Sequence, residues 1–149
     1  MLSKKAKYGL KALLYLADQP ESRIVSITDI ATNERIPKKF LDMILLEMRN
    51  AGLLSSRKGK GGGYSLALPP EKIFIGTVIR LLDGPLAPVS CVSQTAYRRC
   101  DDCISEEACR IRQLMGKVRE ATAGVLDSTT LADISRHVGF QELQLSYDI

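Results

Sequence analysis

Long apolar runs are missing from this 149-residue sequence: no segment approaches the roughly 20 apolar residues that a membrane span requires. Histidine is nearly missing as well. The single one, His137, stands near the end of the chain, where a surface position suits it better than a ligand's role. No nucleophile–histidine arrangement, carboxylate pair or nucleotide motif is present, so hydrolytic and nucleotide-dependent catalysis are set aside. The opening stretch MLSKKAKYGLKALLYLA has basic residues before an apolar patch, as a secretory leader does. Lys11 interrupts the patch, and no small-residue cleavage site follows before Asp18, so an amphipathic helix is expected instead. The expected compartment is the cytoplasm, where thiols stay reduced.

What is present is unevenly placed. The net charge is only +4, but residues 1–80 hold 14 Lys/Arg against 7 Asp/Glu, while residues 81–149 hold 7 against 10. That asymmetry points to a polyanion-binding first half. All four cysteines fall in the second half, within CVSQTAYRRCDDCISEEAC from Cys91 to Cys109. Clustered thiols in a reducing compartment suggest metal or redox chemistry rather than a disulfide framework.

The first half reads as three helices and a hairpin. Ser3 is placed to cap a helix carrying Ala6, Leu10, Leu13, Leu14 and Ala17 at helical spacing, and Pro20 ends it. Ser26 and Asp29 form a capping-box pattern for a short helix with Ile27, Ile30 and Ala31, closing near Asn33. Pro37 suits the first position of a third helix, whose core stripe is Phe40, Leu41, Ile44, Leu45 and Met48 and whose stop is Gly52. Two helices joined by a short turn predict a helix-turn-helix, with Lys38, Lys39 and Asp42 on the outer face of the recognition helix. The β-like runs Leu53–Ser56 and Tyr64–Leu68 flank a tip containing Arg57, Lys58 and Lys60 among four glycines. A P-loop would need a different glycine–lysine order and a helix directly after it. The hairpin is therefore read as a wing that touches phosphates. Ser26 and Thr28, at the start of the second helix, complete the candidate DNA contacts.

A short helix from Gly76 to Asp83 is expected to pack back on this domain, ending at Gly84 and Pro85. An irregular loop follows to Asp102. The cysteine spacing is Cys91-x8-Cys100-x2-Cys103-x5-Cys109. Soft thiolates select zinc or iron–sulfur clusters, though a structural zinc site usually has two tight ligand pairs and here only Cys100–Cys103 is tight. Arg98, Arg99 and Arg110 are expected to favour thiolate. A long helix is expected from Ser105, with Cys109 in its first turn. Its seam of Ile111, Leu114, Val118, Ala121 and Val125, widened by Met115, Thr122 and Leu126, predicts pairing with a twofold mate. Thr130 and Asp133 would cap a last short helix through Ser135.

These residues resemble the Rrf-type winged-helix bacterial regulators, the family that includes IscR, NsrR, RirA and CymR. The resemblance covers about residues 1–135 and rests on KYGLKALLYLA, FLDMILLEMRNAGLL, RKGKGGGYSLA and the cysteines ahead of a long helix. It implies a mainly α fold with a small β-hairpin wing. In it a winged helix-turn-helix (1–83) and a cluster-binding loop (84–104) precede a dimerisation helix with a short last helix (105–137) and a tail (138–149). It also implies a [2Fe–2S] or [4Fe–4S] cluster on Cys91, Cys103 and Cys109, although cluster-free members exist. The fourth ligand of one branch, a histidine, has no counterpart, and the acidic ligand of another is Lys7 here, which leaves Cys100 as the best candidate. The family's acidic recognition residue falls on Asp42, and the glutamine that follows it in one branch is Met43.

The expected function is a homodimeric, DNA-binding regulator, a repressor sensing iron–sulfur, redox or nitric-oxide status, bound to a pseudo-palindromic operator in double-stranded DNA. Lys39 and Asp42 would read base edges, with half-sites about 34 Å apart. Rival readings are a metal-free thiol switch, a zinc site, or a small thiol–disulfide enzyme using Cys100 and Cys103.

Overall fold

The computed structural model describes residues 2–21 and 23–135. His137 and the tail lie outside them. Helices α1 (Lys4–Ala17), α2 (Ile27–Glu34) and α3 (Lys38–Asn50) are followed by a hairpin of β1 (Leu54–Arg57) and β2 (Gly63–Leu66). Then come a 3-10 turn Pro70–Lys72, α4 (Ile75–Asp83), a 3-10 turn Ser90–Val92, α5 (Arg110–Ser128) and α6 (Leu131–Ile134). None of the helices described is long and apolar enough to cross a membrane.

The caps fall at the expected residues, although at Ser26 only one half of the expected box is formed. The Ser3 hydroxyl accepts the Ala6 N–H at 3.0 Å, and the Ser26 hydroxyl accepts that of Asp29 at 3.1 Å. Thr130 and Asp133 form the reciprocal capping box of α6. Pro37 sits one residue earlier than expected, as the N-cap of α3. Between α2 and α3, Arg35 takes a left-handed backbone (φ 55°), which turns the chain so that Ile36 enters the core.

In α3 the expected stripe is the core, with Leu41, Ile44, Leu45 and Met48 each fully buried; burial of such side chains stabilises the fold by about 1.5–3 kcal/mol apiece. Phe40 is half-buried and meets Tyr8 of α1 edge-on, with ring centroids 5.5 Å apart. The buried face of α1 differs from the one expected. It is Ala6, Gly9, Ala12, Leu13 and Leu16, with Leu10, Leu14 and Ala17 at its margin. The reason is close approach: α1 runs between α3 and α4, and a Cβ on Gly9 would come within 2.3 Å of the Leu82 side chain.

The hairpin pairs Leu54 with Leu66 and Arg57 with Gly63. Val25, just before α2, adds a bridge to Tyr64 through hydrogen bonds of 2.9 and 2.8 Å. Gly63 makes this possible, since a Cβ there would stand 2.1 Å from the Val25 carbonyl oxygen. The wing is thereby fixed to the helix-turn-helix.

The C-terminal end of α5 is fixed too. Thr129 O accepts the Ile75 N–H at 2.9 Å, and Leu131 N–H donates to Ile73 O at 2.7 Å. Arg80 of α4 makes a two-pronged bond to Asp127 of α5, 2.6 and 2.8 Å.

The start of α5 corrects the expectation. It begins at Arg110, not Ser105, because Ser105 spends its hydroxyl on the Ala108 N–H in a separate turn. Cys109 is the N-cap itself, with its sulfur accepting the Arg112 N–H at 3.4 Å. No residue of α5 is buried in the single chain. Ile111, Leu114, Val118 and Val125 are 68%, 56%, 40% and 55% exposed, with Ala121 exposed beside them. Met115, Thr122 and Leu126 are half-buried already in the single chain, and Leu126 packs against the chain's own core rather than widening that seam.

Candidate nucleic-acid interface and thiol hollow

The outer face of α3 presents Lys38, Lys39 and Asp42, all exposed, with Met43 (62% exposed) and Leu46 between them. Arg57 ends β1, and Lys58 and Lys60 occupy the wing tip, also exposed. Among the described residues none of these five cations forms an ion pair. Elsewhere on the basic half, Lys5 binds Glu47 at 2.6 Å and Lys11 binds Glu34. The recognition helix and the wing present five cations free of ion pairs on exposed positions, which suits a phosphate-tracking surface. Thr28 is exposed in the first turn of α2, whereas the Ser26 hydroxyl oxygen is used as a cap. Met43 falls on the DNA side as the resemblance implies, whereas nothing in the sequence singles out Leu46, outside the core stripe but apolar by type, as part of this surface.

All four cysteines line one hollow of about 540 Å³ at the N-terminal end of α5, with Ile104 and Ile111 at its apolar rim. Cys91 is buried in the Ser90–Val92 turn, Cys103 and Cys109 are half-buried, and Cys100 is exposed. None is in a disulfide. Partial desolvation, then the charge and hydrogen bonding of Cys91 and the charge of Asp102, push the Cys100 thiol up. This reverses the expectation that neighbouring arginines favour its thiolate. Those arginines are turned to other acceptors: Arg98 to Asp101 at 3.8 Å, and Arg99 to the Cys103 carbonyl at 3.1 Å.

The four sulfurs suit a thiophilic metal by type and by sharing one hollow. They are not drawn together into a set, because no group of three His, Cys, Asp or Glu side chains among the described residues is arranged to hold a metal ion. Cys91 is the cysteine whose charge acts most strongly on Cys100 across that hollow.

A helix-turn-helix with a basic wing fixed beside it, followed by a long helix with four clustered thiols at its head, defines the class: a winged-helix, DNA-binding transcriptional regulator. The Rrf2 family model, described as an iron-dependent transcriptional regulator, matches residues 2–137. The chain belongs to the Rrf2 family. It is 44% identical over 137 residues to an rrf2-like HTH-type transcriptional regulator of Rhodobacter capsulatus, covering 90% of this chain and 91% of that one. It is similar to CymR of Bacillus subtilis, 33% identical over 147 residues and 98% of both chains. The solved structure of that protein, the global cysteine regulator of B. subtilis, superposes with a TM-score of 0.75 over 92% of this chain and 97% of that one. T. potens IscR superposes with a TM-score of 0.68 at 31% identity, over 89% of this chain and 84% of that one. These relatives are transcription regulators, not enzymes, and the thiol–disulfide enzyme reading of Cys100 and Cys103 falls with that.

Proposed function

We propose that this chain is a homodimeric cytoplasmic repressor whose thiol hollow is the sensor, and that the group held there is an iron–sulfur cluster. The observation that carries the reading is the convergence of all four cysteines on one hollow at the head of α5, whose far end is tied to the DNA-binding domain by Arg80 and Asp127. Cys91, Cys103 and Cys109 would hold the cluster, with Cys100 as fourth ligand. When bound, the group supplies a metal–sulfur centre sensitive to redox state and nitric oxide.

The rest is done by the chain's own residues. Cys109 caps α5 and Cys91 lies in the turn packed against it, so a change in the spacing of the thiols displaces the head of the helix. The helix passes that displacement through Arg80 and Asp127 to α4, which packs on α1, which packs on α3. The exposed seam from Ile111 to Val125 pairs two such chains and sets the distance between their wings. On DNA, Lys39 and Asp42 reach base edges and Met43 offers an apolar contact of the kind that reads a thymine methyl. Lys38, Arg57, Lys58 and Lys60 hold phosphates, with Ser26 and Thr28 beside them.

A second reading is supported by Cys91 and Cys100 lining the same hollow, with Cys91 acting on the Cys100 thiol. In a metal-free switch these two thiols would be oxidised to a disulfide while added peroxide is reduced to water. One experiment separates the two. Protein purified without oxygen is examined for visible charge-transfer absorption, and operator affinity at fixed salt is compared with and without the chromophore. Absorption together with an affinity change is expected. A colourless protein, whether it holds zinc or no metal, would overturn the cluster. Peptide mapping of a Cys91–Cys100 disulfide after oxidation would then establish the switch.

A further inference from the structure

A second hollow, of about 370 Å³, adjoins the thiol hollow and shares Cys91 and Arg112 with it. It lies between the Ser90–Val92 turn and the face of α5 that looks toward the chain's own domain. Three cations line it, Arg112, Lys117 and Arg119, against one carboxylate, Glu120. The Nε atoms of both Arg112 and Arg119 are buried, and neither has a hydrogen-bond partner among the described residues. Buried donors are nearly always paired in folded proteins, and a guanidinium donor left without an acceptor is a standing cost.

The nearby acceptors do not remove that cost. Glu120 reaches Arg119 only through Nη2, at 3.5 Å. Glu106 is engaged by the Tyr97 hydroxyl. The Ser93 oxygen accepts the Ala96 N–H at 2.9 Å, and its own O–H can donate to a ligand. Arg112 and Arg119 are two helical turns apart, a rise of about 10.5 Å, on one face. Gly116 stands between them, and its missing side chain keeps the floor open. A Cβ there would only touch Val92, at 3.9 Å.

We propose that this hollow is an effector site for the oxyanion group of a small metabolite, a carboxylate, sulfate or phosphate, gripped by Arg112 and Arg119 with Lys117 as a further point charge. Planar guanidinium forks match such groups in geometry and charge. A ligand seated there joins the turn that carries Cys91 to the helix that carries the dimer seam. It therefore acts on the same linkage as the thiols, and this last step rests on the regulator reading above.

The test uses the reduced full-length protein and inorganic phosphate or sulfate as probe, titrated by calorimetry at constant ionic strength with chloride in place of the probe as control. Saturable binding is expected. Arg112→Gln and Arg119→Gln should each weaken it about tenfold or more, the loss of one charge-assisted contact. Gly116→Ala leaves every charge in place and favours helix, so it should narrow the floor and weaken binding without lowering the melting temperature. No saturable binding, or binding indifferent to both arginine variants, overturns the proposal. So does an arginine variant that shifts only the monomer–dimer equilibrium, which would make a carboxylate of the partner subunit the missing acceptor. A variant that lowers only duplex affinity and its salt dependence would assign the arginines to DNA phosphates, and also overturns it. Because phosphate binding is measured without DNA, protein that binds phosphate but no duplex would sink the regulator reading alone.

Discussion

Gly76→Ala should expose the link between α4 and α5 by changing sign with its background. Gly76 lies in the first turn of α4 with no left-handed backbone, so alanine there ought to stabilise the helix by up to about 1 kcal/mol. A Cβ at that position, however, would stand 2.0 Å from Asp127 Oδ1 and 3.0 Å from Arg80 Nη1. The carboxylate must leave, and the bonds of 2.6 and 2.8 Å to Arg80 go with it. Both side chains are more than a third exposed, at 35% and 46%, so solvent screening limits the pair to about 1 kcal/mol despite its two-pronged geometry. The single variant should come out near neutral or slightly destabilised. Placed on Asp127→Ala, where nothing remains to displace, the same alanine should stabilise by roughly 0.5–1 kcal/mol. Urea unfolding of the four proteins measures the coupling, expected near 1 kcal/mol, or about 2–4 °C in melting temperature.

The coupling has a definite pH dependence. The hydrogen bond from Arg80, then its charge, holds the Asp127 carboxyl below its usual value. A depressed carboxyl contributes stability above the unfolded value, near 3.9, and loses it as pH falls through the lower folded value. The coupling should therefore be complete at neutral pH and fade below about pH 4. Equal stabilisation by Gly76→Ala in both backgrounds would refute the link.

Two further outcomes concern the functional surfaces. In the proposed dimer, replacing Lys58 and Lys60 by alanine would remove four phosphate contacts and should lower the slope of log affinity against log salt by about 3–4, with little change in sequence preference; an unchanged slope in fluorescence anisotropy would place the wing away from the backbone. Leu114→Glu would put like charges across the proposed twofold, at a position 56% exposed in the single chain, and sedimentation should then find monomers. Persistence of the dimer would move the interface off the seam.

Much of the architecture follows from interactions spanning three or four residues, which is why it can be read in the order of residues. Ser3, Ser26 with Asp29, and Thr130 with Asp133 mark their helix starts because a side-chain oxygen meets an N–H one turn away. The wing announces itself through Arg57, Lys58 and Lys60 among glycines, and the α5 seam through its 3,4 spacing. Other features depend on where the chain returns. Ser105 and Cys109 both look like helix starts, and the choice went to Cys109 because Ser105 closes its own turn. The left-handed Arg35 carries no glycine to signal it. Nothing local could pair Arg80 with Asp127, 47 positions later, or show that the buried face of α1 runs through Gly9. By itself, then, the sequence determined a basic winged reader, a thiol cluster and a long apolar-striped helix, since each is a local pattern of charge, sulfur or spacing. Tertiary structure alone decided that the four thiols share one hollow, that the Nε atoms of two arginines lining a second have no acceptor among the described residues, and that Arg80 and Asp127 join α4 to the helix that lines both. Those are distances between distant residues, fixed only once the core has closed.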